Sequence, residues 1–177
     1  MGIDPGTTVM GYGIIKVTGK KLELLTVGAI ELGKYKDHYL KLRRIFERTQ
    51  GLIQEYHPDE LAIEAPFYGK NVQSMLKLGR AQGVSMAAAL AMDVPITEYL
   101  PKKVKQSVTG NGNASKEQLA GMVGNIFKIE KLPKSLDATD GLAVALCHYY
   151  QGGKSKEASK YSGWDSFLKQ NPGRKLN

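Results

Sequence analysis

Two runs near the N-terminus, "MGYGIIKVT" at 10–18 and "KLELLTVGAIEL" at 21–32, are rich in apolar and β-forming residues. Only Gly19 and Lys20 separate them, which is hairpin spacing, so they predict an antiparallel hairpin or meander. From Asp37 to Tyr56 the period changes. Leu42, Ile45, Phe46, Leu52, Ile53 and Tyr56 recur at helical spacing, while Lys41, Arg43, Arg44, Glu47 and Arg48 fill the other faces. This amphipathic helix should end near Pro58. "DELAIE" then predicts a short strand finishing on Glu64. Residues 71–92 predict a long helix in which Gly79, Gly83, Ala87 and Ala91 form a stripe of small residues suited to close packing, either on its own sheet or on a second subunit. "VPITEYL" is another strand, and Pro101 suits the first turn of a helix over "PKKVKQSVTG". After the loop "GNGNA", Ser115 and Gln118 have capping-box spacing. "LPKSLDATDGLAVALCHYY" predicts the last helix.

This order of strands and helices predicts an α/β fold, a mixed five-stranded sheet of the ribonuclease H-like type flanked by helices. It divides the chain into one domain over 1–150 and a polar, basic tail over 151–177 that is expected to be mobile, with "WDSFL" its main apolar segment. There is no internal repeat.

Composition narrows the class. A chain of 177 residues, 42% hydrophobic and 24% charged, suits one soluble domain with a core of its own. Lys and Arg outnumber Asp and Glu by 25 to 17, giving +8 and a pI near 9.4, which favours a polyanionic partner. The single cysteine, Cys147, excludes an internal disulfide framework and reads as a buried small hydrophobe. Nothing resembles a signal peptide or a membrane span, so a cytoplasmic location is expected.

The candidate chemistry lies at element ends. Asp4 closes the first strand and Glu64 the fourth. If those strands are parallel neighbours, both carboxylates reach the same sheet edge. Asp137 and Asp140, three residues apart, share a face of the last helix. Hard oxygen ligands gathered in this way suit Mg²⁺ and phosphodiester hydrolysis. Each acid also has a plainer reading: a turn contact for Asp4, an exposed strand end for Glu64, and a cap begun by Ser135 for Asp137 and Asp140. "GIDPGTT" further resembles the phosphate hairpin of actin and Hsp70-type ATPases, although that fold needs a second lobe this chain has no room for.

Four blocks in order, "GIDPGTTVMGYGII", "AIEAPFYGKNVQSMLKLGRAQGV", "VKQSVTGNGNASKEQ" and "DATDGLAVALCH", resemble the RuvC family of crossover (Holliday) junction endodeoxyribonucleases. The resemblance implies that Asp4, Glu64, Asp137 and Asp140 are metal-binding catalytic carboxylates, that Lys105 and Lys116 flank the active site, and that Phe67 probes the junction. It implies two Mg²⁺ ions per site with Mn²⁺ as a substitute, a homodimer, a four-way DNA substrate cut by paired nicks, and the RuvA–RuvB branch-migration complex as partner. Phe67 and Tyr68 would stack on unpaired bases, while Lys70, Asn71, Lys77 and Arg80, with Lys102 and Lys103, would contact DNA. The family places several apolar residues before its "GIDPG"; here only Met1, Gly2 and Ile3 precede Asp4, so either the true start lies upstream or the first strand is stunted. The competing readings are another ribonuclease H-like nuclease acting on RNA or an RNA–DNA hybrid, against which the "FYGKN" loop argues, a nucleotide-binding module, and a junction-binding protein without catalysis.

Overall fold

The computed structural model describes residues 1–66, 71–131, 133 and 135–152. Its elements are β1 (Gly2–Asp4), β2 (Val9–Thr18), β3 (Lys21–Glu31), α1 (His38–Tyr56), β4 (Leu61–Glu64), α2 (Val72–Leu90), β5 (Ile96–Tyr99), α3 (Pro101–Thr109), α4 (Lys116–Phe127) and α5 (Leu136–Tyr150). The strands form one sheet in the order β3-β2-β1-β4-β5. β1, β2 and β3 pair antiparallel, whereas β1–β4 and β4–β5 are parallel. This is the mixed five-stranded sheet that the pattern predicts.

Local chemistry sets the element ends. Asp37 caps α1 by accepting the Tyr39 N–H at 2.8 Å, and His57 closes it in the left-handed region at φ 45°. The capping box of α4 forms as predicted: Ser115 accepts the Gln118 N–H at 3.2 Å, and Gln118 accepts the Ser115 N–H at 2.9 Å. Pro101 opens α3. β1 has only 3 residues, yet it lies at the sheet centre with Ile3 fully buried. Its pairing with β4 continues through Met1, whose carbonyl accepts the Ala62 N–H at 2.8 Å.

Alternation along the strands divides the core in two. Ile3, Met10, Ile14, Leu61 and Ile63 face α1 and α2. Ala62 faces the other way, among Val104, Val108, Leu119, Val123 and the inner residues of α5. From Ala138 to His148 every residue of α5 is buried. It lies almost on the sheet backbone because Gly2, Gly11 and Gly13 leave that face bare: a Cβ on Gly2 would overlap the α5 backbone at Gly141 and Ala145, and one on Gly11 the Asp137 carbonyl. Gly2 pairs with Gly13 and Asp4 with Gly11, so the bare track crosses two strands beneath α5.

The small stripe on α2 does not pack on this sheet. The buried face of α2 consists of Ala81, Gln82, Ser85, Ala88 and Ala89; Gly83, Ala87 and Ala91 are exposed, and a Cβ on Gly79 or Gly83 would meet nothing within 4 Å. Helical periodicity shows which residues share a face, but not which face is covered. α2 also stops at Leu90, because the chain turns through a left-handed Asp93 at φ 56°. Among the described residues no helix is long and apolar enough to cross a membrane. The tail beyond Gly152 lies outside the described residues.

Candidate active site

Parallel pairing brings the first two acids together. Ile3 is level with Ile63, so Asp4 and Glu64 follow side by side at the carboxyl ends of β1 and β4. α5 starts over the same edge and brings Asp137 in its first turn and Asp140 in its next. Asp4, Asp137 and Asp140 each offer a carboxylate oxygen, all within 4.8 Å of one another. Glu64 is outside that triple but close enough for Asp4 and Asp140 to act on its charge.

Lys116, at the start of α4, reaches across to this group. Its Nζ donates to Asp137 Oδ1 at 3.0 Å and to Asp140 Oδ2 at 2.6 Å. Lys105, half-buried on α3, lies near enough to favour the charged forms of Glu64 and Asp140.

Burial and mutual repulsion govern the titration of the acids. Asp4 is pushed up to about 7, first by desolvation and then by Asp140, with Lys116 opposing. Glu64 is pushed up to about 8, first by desolvation and then by Asp4 and Asp140. Asp140 is raised, mainly by burial. At Asp137 the largest influence is again burial, which acts upward, but hydrogen bonds from Lys116 and Ser135 outweigh it and hold the carboxyl low. Desolvation acts downward on Lys116, but its hydrogen bonds to Asp140 and Asp137 outweigh it and raise the ammonium.

These surroundings displace the plainer readings. Ser135 makes no side-chain cap on α5; its hydroxyl donates to Asp137 Oδ2 at 3.0 Å. Asp140 is buried, and Glu64 is partly enclosed rather than an exposed strand end. Several hard oxygen donors crowded into one small volume fit a divalent cation of the Mg²⁺ type. Cys147 is buried, donating to Ser107 Oγ at 3.4 Å, and burial pushes its thiol up, so it is not a poised nucleophile.

The remaining predicted residues divide. Lys77 and Arg80 are exposed on α2, and Lys102 and Lys103 on α3. Asn71 caps α2, its side chain accepting the Ser74 N–H at 3.1 Å, so the structure gives it a folding role. Phe67, Tyr68 and Lys70 lie outside the described residues. Sequence reasoning passed over Lys41, read only as part of a polar helix face; its Nζ donates to the Thr7 carbonyl at 2.8 Å and braces the turn after Asp4. It also passed over Gln82, which donates to Glu98 at 2.7 Å and to the Glu64 carbonyl at 3.4 Å. The available signal for Gln82 was a polar residue among the alanines of α2.

A family model described as crossover junction endodeoxyribonuclease RuvC matches residues 1–148. The chain belongs to the RuvC family. A RuvC crossover junction endodeoxyribonuclease of Christiangramia forsetii is 66% identical over 172 residues, covering 97% of this chain and 90% of that protein. Its counterpart in Cytophaga hutchinsonii is 61% identical over 172 residues, covering 97% and 85%. Among solved structures, Thermus thermophilus RuvC in complex with a Holliday junction substrate superposes with a TM-score of 0.77 at 32% identity, covering 85% of this chain and 92% of that one. RuvC membership removes the support from the nucleotide-binding reading: the family model spans residues 1–148, and the described residues form one five-stranded sheet.

Proposed function

We propose that this chain is a metal-dependent, structure-selective endonuclease that resolves four-way DNA junctions in recombination and repair. It makes paired symmetric nicks that leave 5′-phosphate and 3′-hydroxyl ends. The observation that carries this reading is the convergence of Asp4, Asp137 and Asp140 within 4.8 Å in a chain matched by the RuvC model over residues 1–148. The nuclease domain spans 1–150, with the basic segment 151–177 as an appendage.

Asp4, Glu64, Asp137 and Asp140 would hold the metal, with Glu64 extending the site beyond the triple. Two Mg²⁺ ions per site, with Mn²⁺ as a substitute, would supply Lewis acidity for phosphodiester hydrolysis. Lys116 orients Asp137 and Asp140 through its two hydrogen bonds. Lys105 adds positive charge beside the phosphate undergoing cleavage. The chain's own geometry favours an anionic phosphodiester at this edge, because α1, α2 and α3 each follow a strand that ends there.

Phe67 and Tyr68 stack on bases at the junction centre, and Lys70, Asn71, Lys77 and Arg80 contact DNA; Asn71 would do so while capping α2. A homodimer would match the symmetry of the substrate, and the stripe of α2, flanked by exposed Val72, Leu76 and Leu90, supports that reading. The RuvA–RuvB complex is the partner that family membership suggests, and the cytoplasm the location.

The test is incubation with a synthetic four-way junction, linear duplex and RNA–DNA hybrid, with Mg²⁺ and with EDTA. Symmetric nicking of the junction alone, dependent on Mg²⁺, is expected. Preferential hybrid cleavage overturns the substrate assignment, and binding without cleavage overturns the enzymatic one.

A further inference from the structure

At the far end of α5 from the carboxylates, His148 is almost buried, 9% exposed, and both its ring nitrogens are engaged. Nε2 faces the Glu60 carboxylate, and Nδ1 lies 2.9 Å from the Tyr99 hydroxyl. The Tyr99 ring also meets the imidazole edge-on, with centroids 5.7 Å apart. With Nε2–H donating to Glu60, Nδ1 is left to accept from Tyr99. Glu60 and His148 lie at the opposite end of β4 and α5 from the acids, while Tyr99, whose hydroxyl reaches back to His148, is the β5 register partner of Glu64.

Their value lies in which elements they join. Glu60 immediately precedes β4, which ends on Glu64; His148 sits near the end of α5, which begins with Asp137 and Asp140. From Glu60 to Glu64 is four residues of strand, about 13 Å. From Asp140 to His148 is eight residues of helix, about 12 Å. Fastening Glu60 to His148 at one end therefore brings Glu64 and Asp140 level at the other. The bare glycine track sets how close α5 lies to the sheet, but a smooth track does little to stop a helix sliding along its axis. A hydrogen-bonded anchor does.

We propose that Glu60, His148 and Tyr99 are positioning residues that hold α5 in axial register with β4, so that the carboxylates on the two elements stay within reach of one metal centre. The proposal rests on the metal-binding reading of that centre.

The experiment measures Mn²⁺ affinity of the full chain by electron paramagnetic resonance, per folded molecule, alongside thermal melting. Glu60→Ala and His148→Ala are expected to weaken Mn²⁺ binding by roughly tenfold, the low end for residues that support ligands from outside. Glu60→Gln keeps an acceptor for His148 and is expected to restore most of the affinity lost in Glu60→Ala. Asp59→Ala removes a neighbouring charge with no link to α5 and is expected to leave it unchanged. Alanine variants that fold and bind Mn²⁺ as the unmodified chain does, even with lowered melting temperatures, overturn the proposal. Should they not fold, Tyr99→Phe decides: a measurable loss of Mn²⁺ affinity is expected, and unchanged binding overturns it. If the unmodified chain binds no Mn²⁺, the metal reading itself fails, an outcome distinct from loss of the clamp alone.

Discussion

The main-chain carbonyl of Asp137 rests against Gly11, so close that a Cβ at residue 11 would overlap it. Gly11 is also the register partner of Asp4. One missing side chain thus lets a helix-borne acid descend to a strand-borne one.

Gly11→Ala should therefore damage the metal site as well as the fold. The obstructing atoms are backbone and cannot rotate away, so α5 must lift; a destabilisation of roughly 1–3 kcal/mol or more is expected, with loss of Mn²⁺ binding. Gly79→Ala is the contrast. Its Cβ meets nothing within 4 Å, and replacing glycine inside a helix should add about 0.8–1 kcal/mol. Chemical denaturation of both variants checks the pair, and equal effects would refute the argument from close approach.

How much of this was legible in the sequence depends on the kind of signal. Glu64 and Asp4 could be placed at strand ends, while the parallel adjacency that joins them was a condition the sequence left open and the β1–β4 pairing meets. Asp137 and Asp140 could be placed from helical spacing. Gly11 and Gly13 were readable only as strand residues: their period of two marks one bare face, but the helix that lies on it comes from elsewhere in the chain. The stripe from Gly79 to Ala91 raised the opposite problem, since a smooth face does not name its partner. His148 was hidden in the run "LAVALCHYY", whose apolar character says nothing of a hydrogen bond to Glu60, 88 positions away.

The four acids should be separable from DNA binding. Asp4→Asn, Glu64→Gln, Asp137→Asn and Asp140→Asn are each expected to abolish junction cleavage while leaving junction affinity in Ca²⁺ or EDTA largely intact, because each removes a metal ligand and a negative charge but no phosphate contact. Cleavage at the unmodified rate under saturating Mg²⁺ would remove that residue from the ligand set.

Without metal, crowding of these acids has a cost that depends on pH. Asp4 rises from 3.8 to about 7 and Glu64 from 4.5 to about 8. A carboxyl whose folded pKa lies above its unfolded one contributes stability that is complete below the unfolded value and lost as pH rises through the folded value. The metal-free protein should thus lose stability between about pH 4 and pH 8, by on the order of 1 kcal/mol or more for each group. Asp137, held low, acts oppositely and only in acid: its contribution is lost as pH falls below its ordinary 3.8. Melting curves across this range, with and without Mg²⁺, check the sign. Asp4→Asn and Glu64→Gln should flatten the alkaline loss, and Mg²⁺ should reverse it; a metal-free melting temperature that rises steadily to pH 8 would contradict the crowding.

His38 offers a reporter for DNA on the α2 side of the centre. Its imidazole is held below the ordinary 6.5, first by desolvation and then by the charges of Arg80, Lys77 and Lys41, with Asp37 opposing. Removing a positive neighbour should raise its titration midpoint, and so should a phosphate drawn to the same charges, since both favour the imidazolium. Arg80→Ala and Lys77→Ala are therefore expected to shift the His38 NMR titration upward in the free protein and to reduce the further upward shift on adding junction DNA. Junction affinity should weaken in parallel, and the slope of log affinity against log salt should fall by about one for each lost phosphate contact, while Mn²⁺ affinity stays unchanged. A His38 titration that DNA leaves unmoved, together with an unaltered salt slope, would place the DNA away from α2.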